Sequence, residues 1–181
     1  MTTYLALLRG VNVGGNNMVK MSDLVACLTE AGFQNVHTFI QSGNVFFDAA
    51  STDHHQVGQA VERAIEKRFT IQISVAVFTK DEWHEVVNGA PKWWGTGEGW
   101  KHDLFVAMTP DAIDHVWALV ERKGGLQNDV EHLAAGKCVM YASMVIAKFS
   151  RTTASKLAGT PVYKELSIRN NRTTRKLLDL F

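Results

Sequence analysis

Apolar residues recur along this chain at two alternating spacings, one of strand type and one of helix type, and the alternation predicts a mixed α and β protein. Residues 4–8 form a short apolar run of strand length. Met21, Leu24, Val25 and Leu28 keep helical spacing, with Ser22 or Asp23 as candidate caps and Gly32 placed to end the helix. VHTFIQ and NVFFD follow as two strand-like runs about Ser42 and Gly43, the pattern of a tight hairpin. Val57, Ala60, Val61, Ala64 and Ile65 return to helical spacing, and ISVAVF, residues 73–78, closes the segment as a fourth strand. The resulting order, β-α-β-β-α-β, is the split βαβ or ferredoxin-like motif, which buries one sheet face under two helices.

The second half echoes the first. After a helix over TKDEWHEVVNG comes APKWWGTGEGWK, where Pro91 and the four glycines from Gly89 to Gly99 mark a linker or excursion. Beyond it the pattern predicts a strand at 102–108, a helix at 111–122, strands at 130–134 and 138–142 about Gly136, a helix at 150–158, a strand at 166–168 and a helix at 171–181. The expected fold is α+β, two fused ferredoxin-like subdomains plus a C-terminal helix. Residues 1–88 form the first subdomain with its following helix, 89–101 the Gly/Trp-rich linker, and 102–181 the second subdomain. No letter-by-letter repeat accompanies the echo, and β/α alternation is also compatible with a doubly wound sheet.

Composition narrows the class without naming a partner. With 46% hydrophobic and 20% charged residues and a formal net charge of +1, the chain reads as an ordinary globular protein. The charge is uneven, however. Between Ala147 and Leu178 eight basic residues stand against Glu165 alone, a local +7. Such asymmetry points to nucleic acid or another polyanion as partner, or to a solvated basic face. Cys27 and Cys138 are far apart, with no spacing that suggests a metal site or a disulfide framework. The first residues lack a basic stretch leading into a long apolar run, and no segment reaches the ~18 apolar residues needed to span a bilayer. A cytoplasmic protein without membrane contact is the expectation.

Candidate chemistry starts in LLRGVNVGGNNMVK, residues 7–20. Three glycines and three asparagines lie between Arg9 and Lys20, next to a predicted helix start. Glycines let a ligand approach main-chain N–H groups, and the start of a helix favours anions. The loop lacks both phosphate-binding fingerprints, G-x-x-x-x-G-K-[ST] and G-x-G-x-x-G. The plainer reading is a turn whose Asn12, Asn16 and Asn17 satisfy its own backbone. Ser42, Gly43 and Asn44 are likewise good turn chemistry. In this topology the first and third strands are neighbours, which would bring Arg9 near Gln41, Ser42 and Asn44. Tyr4, Phe46 and Phe47 occupy strands on which RNA-recognition domains carry base-stacking aromatics, although a Phe-Phe pair in a strand usually sends a ring into the core. Trp93, Trp94 and Trp100 are candidates for ligand stacking or for gap filling. No G-x-S-x-G elbow, H-E-x-x-H helix or nucleophile with partners is present.

Three stretches, ALLRGVNVGGNNMVKMSDL, FIQSGNVFF and LSIRNNRTTRKLLDL, resemble in order and spacing the domain-of-unknown-function family numbered 1697. The resemblance covers nearly the whole chain. It implies uncharacterised cytoplasmic proteins of two small fused α+β units and no settled activity. Arg9, Gly10, Asn12, Gly14, Gly15 and Lys20 match the first motif, and Gln41, Ser42, Gly43 and Asn44 the second. In the third, Ile168, Arg169, Asn170 and Thr173 match, but Asn171 and Arg172 stand where the family pattern carries Trp and Asn.

Two functional expectations follow. The first is a binding protein that holds nucleic acid or another phosphate-bearing ligand in a positive cleft. The second is an enzyme acting on a small phosphorylated or carboxylated substrate. The candidate ligand-binding set is Arg9, Asn12, Gly14, Gly15, Lys20, Gln41, Ser42, Asn44, Arg151, Arg169, Asn170 and Arg172. No catalytic residue, cofactor or metal site is indicated, and oligomeric state is not legible.

Overall fold

The computed structural model describes residues 1–15 and 17–181. The protein is α+β, with two four-stranded antiparallel sheets. It forms two compact units, Met1–His84 with Leu180–Phe181, and Glu85–Asp179.

The first unit contains β1 (Thr2–Leu8), α1 (Met21–Glu30), β2 (Gln34–Phe39), β3 (Asn44–Ala49), α2 (His54–Phe69), β4 (Val75–Thr79) and the opening turns of α3 (Lys80–Asn88). Its sheet has the order β2-β3-β1-β4. On one face Tyr4, Ala6, Leu8, Val45 and Phe47 pack with Leu24 and Leu28 of α1 and Val57, Val61 and Ile65 of α2. Full burial of each larger apolar side chain contributes about 1.5–3 kcal/mol. The opposite face is buried as well: Leu5, Leu7 and Phe46 have no exposure, and the Phe181 ring meets Phe46 edge-on at 5.1 Å. Burial is therefore not confined to the face beneath the helices. Since Tyr4, Phe46 and Phe47 are all fully buried, they cannot stack nucleic-acid bases.

Local chemistry sets the helix ends. Asp53 caps α2 by accepting from the Gln56 N–H at 3.1 Å. The cap position of α1 is Lys20, with no side-chain bond, so Ser22 and Asp23 lie inside the first turn instead of capping it. At the start of α3 the Thr79 N–H and hydroxyl both donate to Glu82, a reciprocal capping box.

The second unit carries the rest of α3, then β5 (Trp100–Ala107), α4 (Ala112–Arg122), β6 (Glu131–Gly136), β7 (Val139–Val145), a 3-10 segment Ile146–Arg151, α5 (Thr153–Leu157), a 3-10 segment Pro161–Glu165, β8 (Leu166–Asn170) and α6 (Asn171–Leu178). The strand order is β6-β7-β5-β8. Phe105, Met140, Ala142 and Met144 form its core with Val116, Val120 and Leu157. Two details depart from the sequence pattern. The helix expected over 150–158 is interrupted at Thr152, an extended residue whose hydroxyl caps α5. The turn expected at Gly136 falls on Lys137 and Cys138, the latter at φ +57°. Within 89–101, Trp94 is buried, its indole N–H donating to Asp103 O at 3.0 Å and its ring meeting Tyr141, while Trp100 opens β5.

Candidate functional site

The loop after β1 is held by its own asparagines. Asn12 and Asn17 both adopt positive φ, at 56° and 48°, which asparagine tolerates better than most residues. The Asn12 amide donates to Val19 O at 2.9 Å and to Gln41 O at 3.0 Å, while its oxygen accepts from the Val19 N–H at 2.8 Å. Asn17 donates to Gly10 O at 3.1 Å. Asn16, also expected to brace this turn, lies outside the described residues. One amide thus ties the glycine-rich loop to the β2–β3 turn, and the first two motifs adjoin.

Adjacency does not make every motif residue available to a ligand. Asn44 is fully buried, and its amide donates to Phe39 O and Ser42 Oγ across the hairpin. Asn12 is committed to the loop as described. Gly14, Gly15, Lys20 and Gln41 are exposed, but none of them lines the concave surface found beside this loop.

That surface is an open cleft of about 400 Å³ lined by Arg9, Gly10, Asn17, Glu62, Glu66, Gln72, Ile73 and Ser74. Arg9 is anchored there by its backbone N–H, which donates to Ser74 O at 2.9 Å. Glu62 Oε1 accepts from the Val75 N–H at 2.9 Å, and Glu66 Oε1 from Gln72 Nε2 at 2.8 Å. Each carboxylate is thereby held in place through one of its oxygens. One guanidinium, two carboxylates, amides and a hydroxyl make a polar lining with more acid than base. The α2 and 72–74 contributions were not singled out from sequence, because Glu62 and Glu66 at helical i, i+4 spacing read as an ordinary solvated face.

Much of the basic segment of the second unit is engaged by neighbouring groups. Lys148 pairs with Asp129 at 2.8 Å, Arg151 donates to Gln127 at 2.6 Å, and Lys176 faces Asp179 at 3.6 Å. The Arg175 guanidinium stands 5.5 Å from the Trp94 ring. Asn170 is the cap of α6, accepting from the Thr173 N–H at 2.8 Å. Arg169 is 7% exposed, and its Nη1 donates to Ser167 Oγ and Ile168 O, both at 2.9 Å. Burial pushes its pKa down to about 10. Its expected place on an exposed basic surface is thus corrected: β8 carries it inward, because alternate strand residues face opposite sides. Arg172 is exposed on α6.

Among the described residues no nucleophile and base emerge together in an accessible site. His102 Nδ1 lies 2.6 Å from Ser143 Oγ, but Ser143 is 1% exposed, and burial holds the imidazole below its ordinary pKa. His132 stacks on Trp100 with ring centroids 4.9 Å apart. Among the described residues no three His, Cys, Asp or Glu side chains are grouped as a metal site requires, and no helix is long and apolar enough to cross a membrane.

Comparison with known proteins adds the following. A family model described as a protein of unknown function, DUF1697, matches residues 1–141. Among solved structures, the conserved bacterial protein SP0830 from Streptococcus pneumoniae is similar, with 30% sequence identity and a TM-score of 0.85. The match covers 99% of this chain and 98% of that one. No curated protein matches.

Proposed function

Because the chain belongs to the DUF1697 family, whose description assigns no activity, function has to be read from the site, and we propose that the first unit binds a small polar molecule in the Arg9 cleft. The ligand carries one phosphate or carboxylate, for the guanidinium, and hydroxyl or amino groups, for Glu62, Glu66 and the amides. The composition of the lining carries this reading: a planar fork of N–H donors suits an oxyanion, while two carboxylates repel a chain of phosphates. Bound water-displacing contacts of this kind discriminate by hydrogen bonding, since a buried donor left unpaired costs about 1–3 kcal/mol.

A second reading is nucleic-acid binding on α6, where Arg172, Arg175 and Lys176 are exposed at i, i+3 and i+4. The local +7 favours it. Salt separates the two. A single strand that neutralises several phosphates gives a slope of about −0.7 per phosphate in log affinity against log salt, whereas one small anion gives a shallow slope. Thermal-shift screening of phosphorylated and carboxylated small molecules beside short oligonucleotides, repeated at several salt concentrations, decides. Arg9→Ala abolishes the shift if the cleft reading is right. A steep salt slope that Arg172→Ala flattens, with Arg9→Ala silent, favours the second.

We also infer that each unit is a ferredoxin-like subdomain. The element order β-α-β-β-α-β in the first, and the shared pattern of one strand pair inserted between the outer two in both sheets, support it. Two unbridged cysteines, Cys27 and Cys138, fit a reducing cytoplasm.

A further inference from the structure

In the Arg9 cleft the two acids are placed by α2 and by the segment that leads into β4. Glu62 and Glu66 stand four residues apart on the helix, so their Cβ atoms share one face at about 5–6 Å. The Val75 N–H and the Gln72 amide each hold one carboxylate oxygen, at 2.9 Å and 2.8 Å. Both acids line the cleft of about 400 Å³ together with Arg9, Asn17 and Ser74, and neither is buried. The arginines of the same helix are engaged elsewhere. Arg68 pairs with Glu30 at 2.7 Å, and Arg63 donates to Gln59 Oε1 at 3.4 Å. Among the described residues neither Glu62 nor Glu66 takes part in an ion pair. Like charges at this spacing repel, so the cleft holds a negative pair beside a guanidinium.

We propose that the cleft selects a zwitterion, a small molecule that sets a primary ammonium between Glu62 and Glu66 and its single oxyanion on Arg9. This rests on the cleft reading above and narrows its ligand to amino compounds. An ammonium carries three N–H donors, enough for both carboxylates at once, whereas a hydroxyl carries one. Hydrogen bonds between charged groups are also about twice as strong as neutral ones. A cation between the carboxylates offsets their mutual repulsion, which a neutral hydroxyl cannot do. The oxyanion is chemistry shared by a phosphomonoester and a carboxylate, and a guanidinium receives either through two parallel N–H bonds. An oligophosphate is disfavoured, because its additional negative charge would meet Glu62 and Glu66.

The test uses the full chain and two matched pairs of probes, at constant ionic strength and at a slightly acid pH where both amines are protonated. Glucosamine 6-phosphate is compared with glucose 6-phosphate, and 4-aminobutyrate with 4-hydroxybutyrate, so that within each pair an ammonium replaces a hydroxyl. Dissociation constants are read from the amide shifts of Gly10, Asn17 and Ser74 in wild type, Glu62→Gln, Glu66→Gln and Arg9→Ala. The expected result is that at least one amino probe binds wild type about tenfold or more tightly than its hydroxyl twin. Each Gln variant keeps an oxygen to accept from Val75 or Gln72 but loses that preference, and Arg9→Ala loses the binding of both twins. The pair that responds distinguishes phosphate from carboxylate. If one Gln variant fails to fold, the other carries the comparison. Equal affinity within both pairs, abolished by Arg9→Ala, overturns the zwitterion while the cleft reading stands. A preference for the amine that survives in the folded Gln variants overturns it as well. No saturable shift at the cleft with any probe overturns the proposal and counts against the cleft reading itself.

Discussion

Gly43 sits at φ +68°, and a Cβ there would stand 2.8 Å from Leu8 Cβ and 3.1 Å from Leu8 O. The close approach lets the Leu8 N–H donate to Gly43 O at 2.8 Å, which joins the end of β1 to the hairpin. Gly43→Ala combines positive-φ strain with a clash, and the expected loss is about 1–3 kcal/mol, read from urea unfolding. Arg169 gives a second residue-scale prediction. Removing its buried guanidinium leaves Ser167 Oγ and Ile168 O without that donor, so Arg169→Ala should cost about 1–3 kcal/mol. Exposed Arg172→Ala should stay within about 0.5 kcal/mol. Equal stabilities in chemical denaturation would contradict the inward placement of Arg169. Sequence alone could not separate these two arginines, because charge runs do not reveal which side of a strand end each residue takes.

The helix ends show what pattern reading catches and what it misses. Apolar spacing located α1, α2 and α4 because each buries one stripe, and the paired strands β2–β3 and β6–β7 because short turns part them. It missed the break at Thr152, where one hydroxyl diverts the backbone from helix into a cap. Apolar spacing is equally blind to the capping box of α3, whose T-x-x-E signature is Thr79 and Glu82. This element carries a pH signature. Burial opposes ionisation of Glu82, but the Thr79 N–H, the His54 ring at 2.7 Å and the Thr79 hydroxyl outweigh it and hold the carboxyl below its ordinary value. A depressed carboxyl stabilises the fold above the unfolded pKa of about 4.3, and the contribution disappears as pH falls through the folded value. Glu82→Gln should therefore be less stable than wild type near neutral pH, with the gap closing in acid below about pH 4. Thermal melts of both proteins across that window check the sign. A gap independent of pH would assign the effect to packing.

At the scale of the molecule, two antiparallel sheets with helices and a glycine-rich loop were legible because sheet and helix periods recur in order. The cleft was legible only in part. Arg9 stood out by its motif, but Glu62, Glu66, Gln72 and Ser74 come from α2 and the segment before β4, and only the fold brings them beside it. Their acidity changes the expected ligand from a polyanion to a small molecule with one anionic group. The most direct measurement is amide-detected NMR of the full chain titrated with a panel of small phosphorylated and carboxylated compounds, in wild type and Arg9→Ala. The cleft reading predicts that at least one compound gives saturable shifts concentrated at Arg9, Gly10, Asn17 and Ser74, and that Arg9→Ala removes them. Saturable shifts confined to α6, or shifts at the cleft that survive Arg9→Ala unchanged, would contradict it.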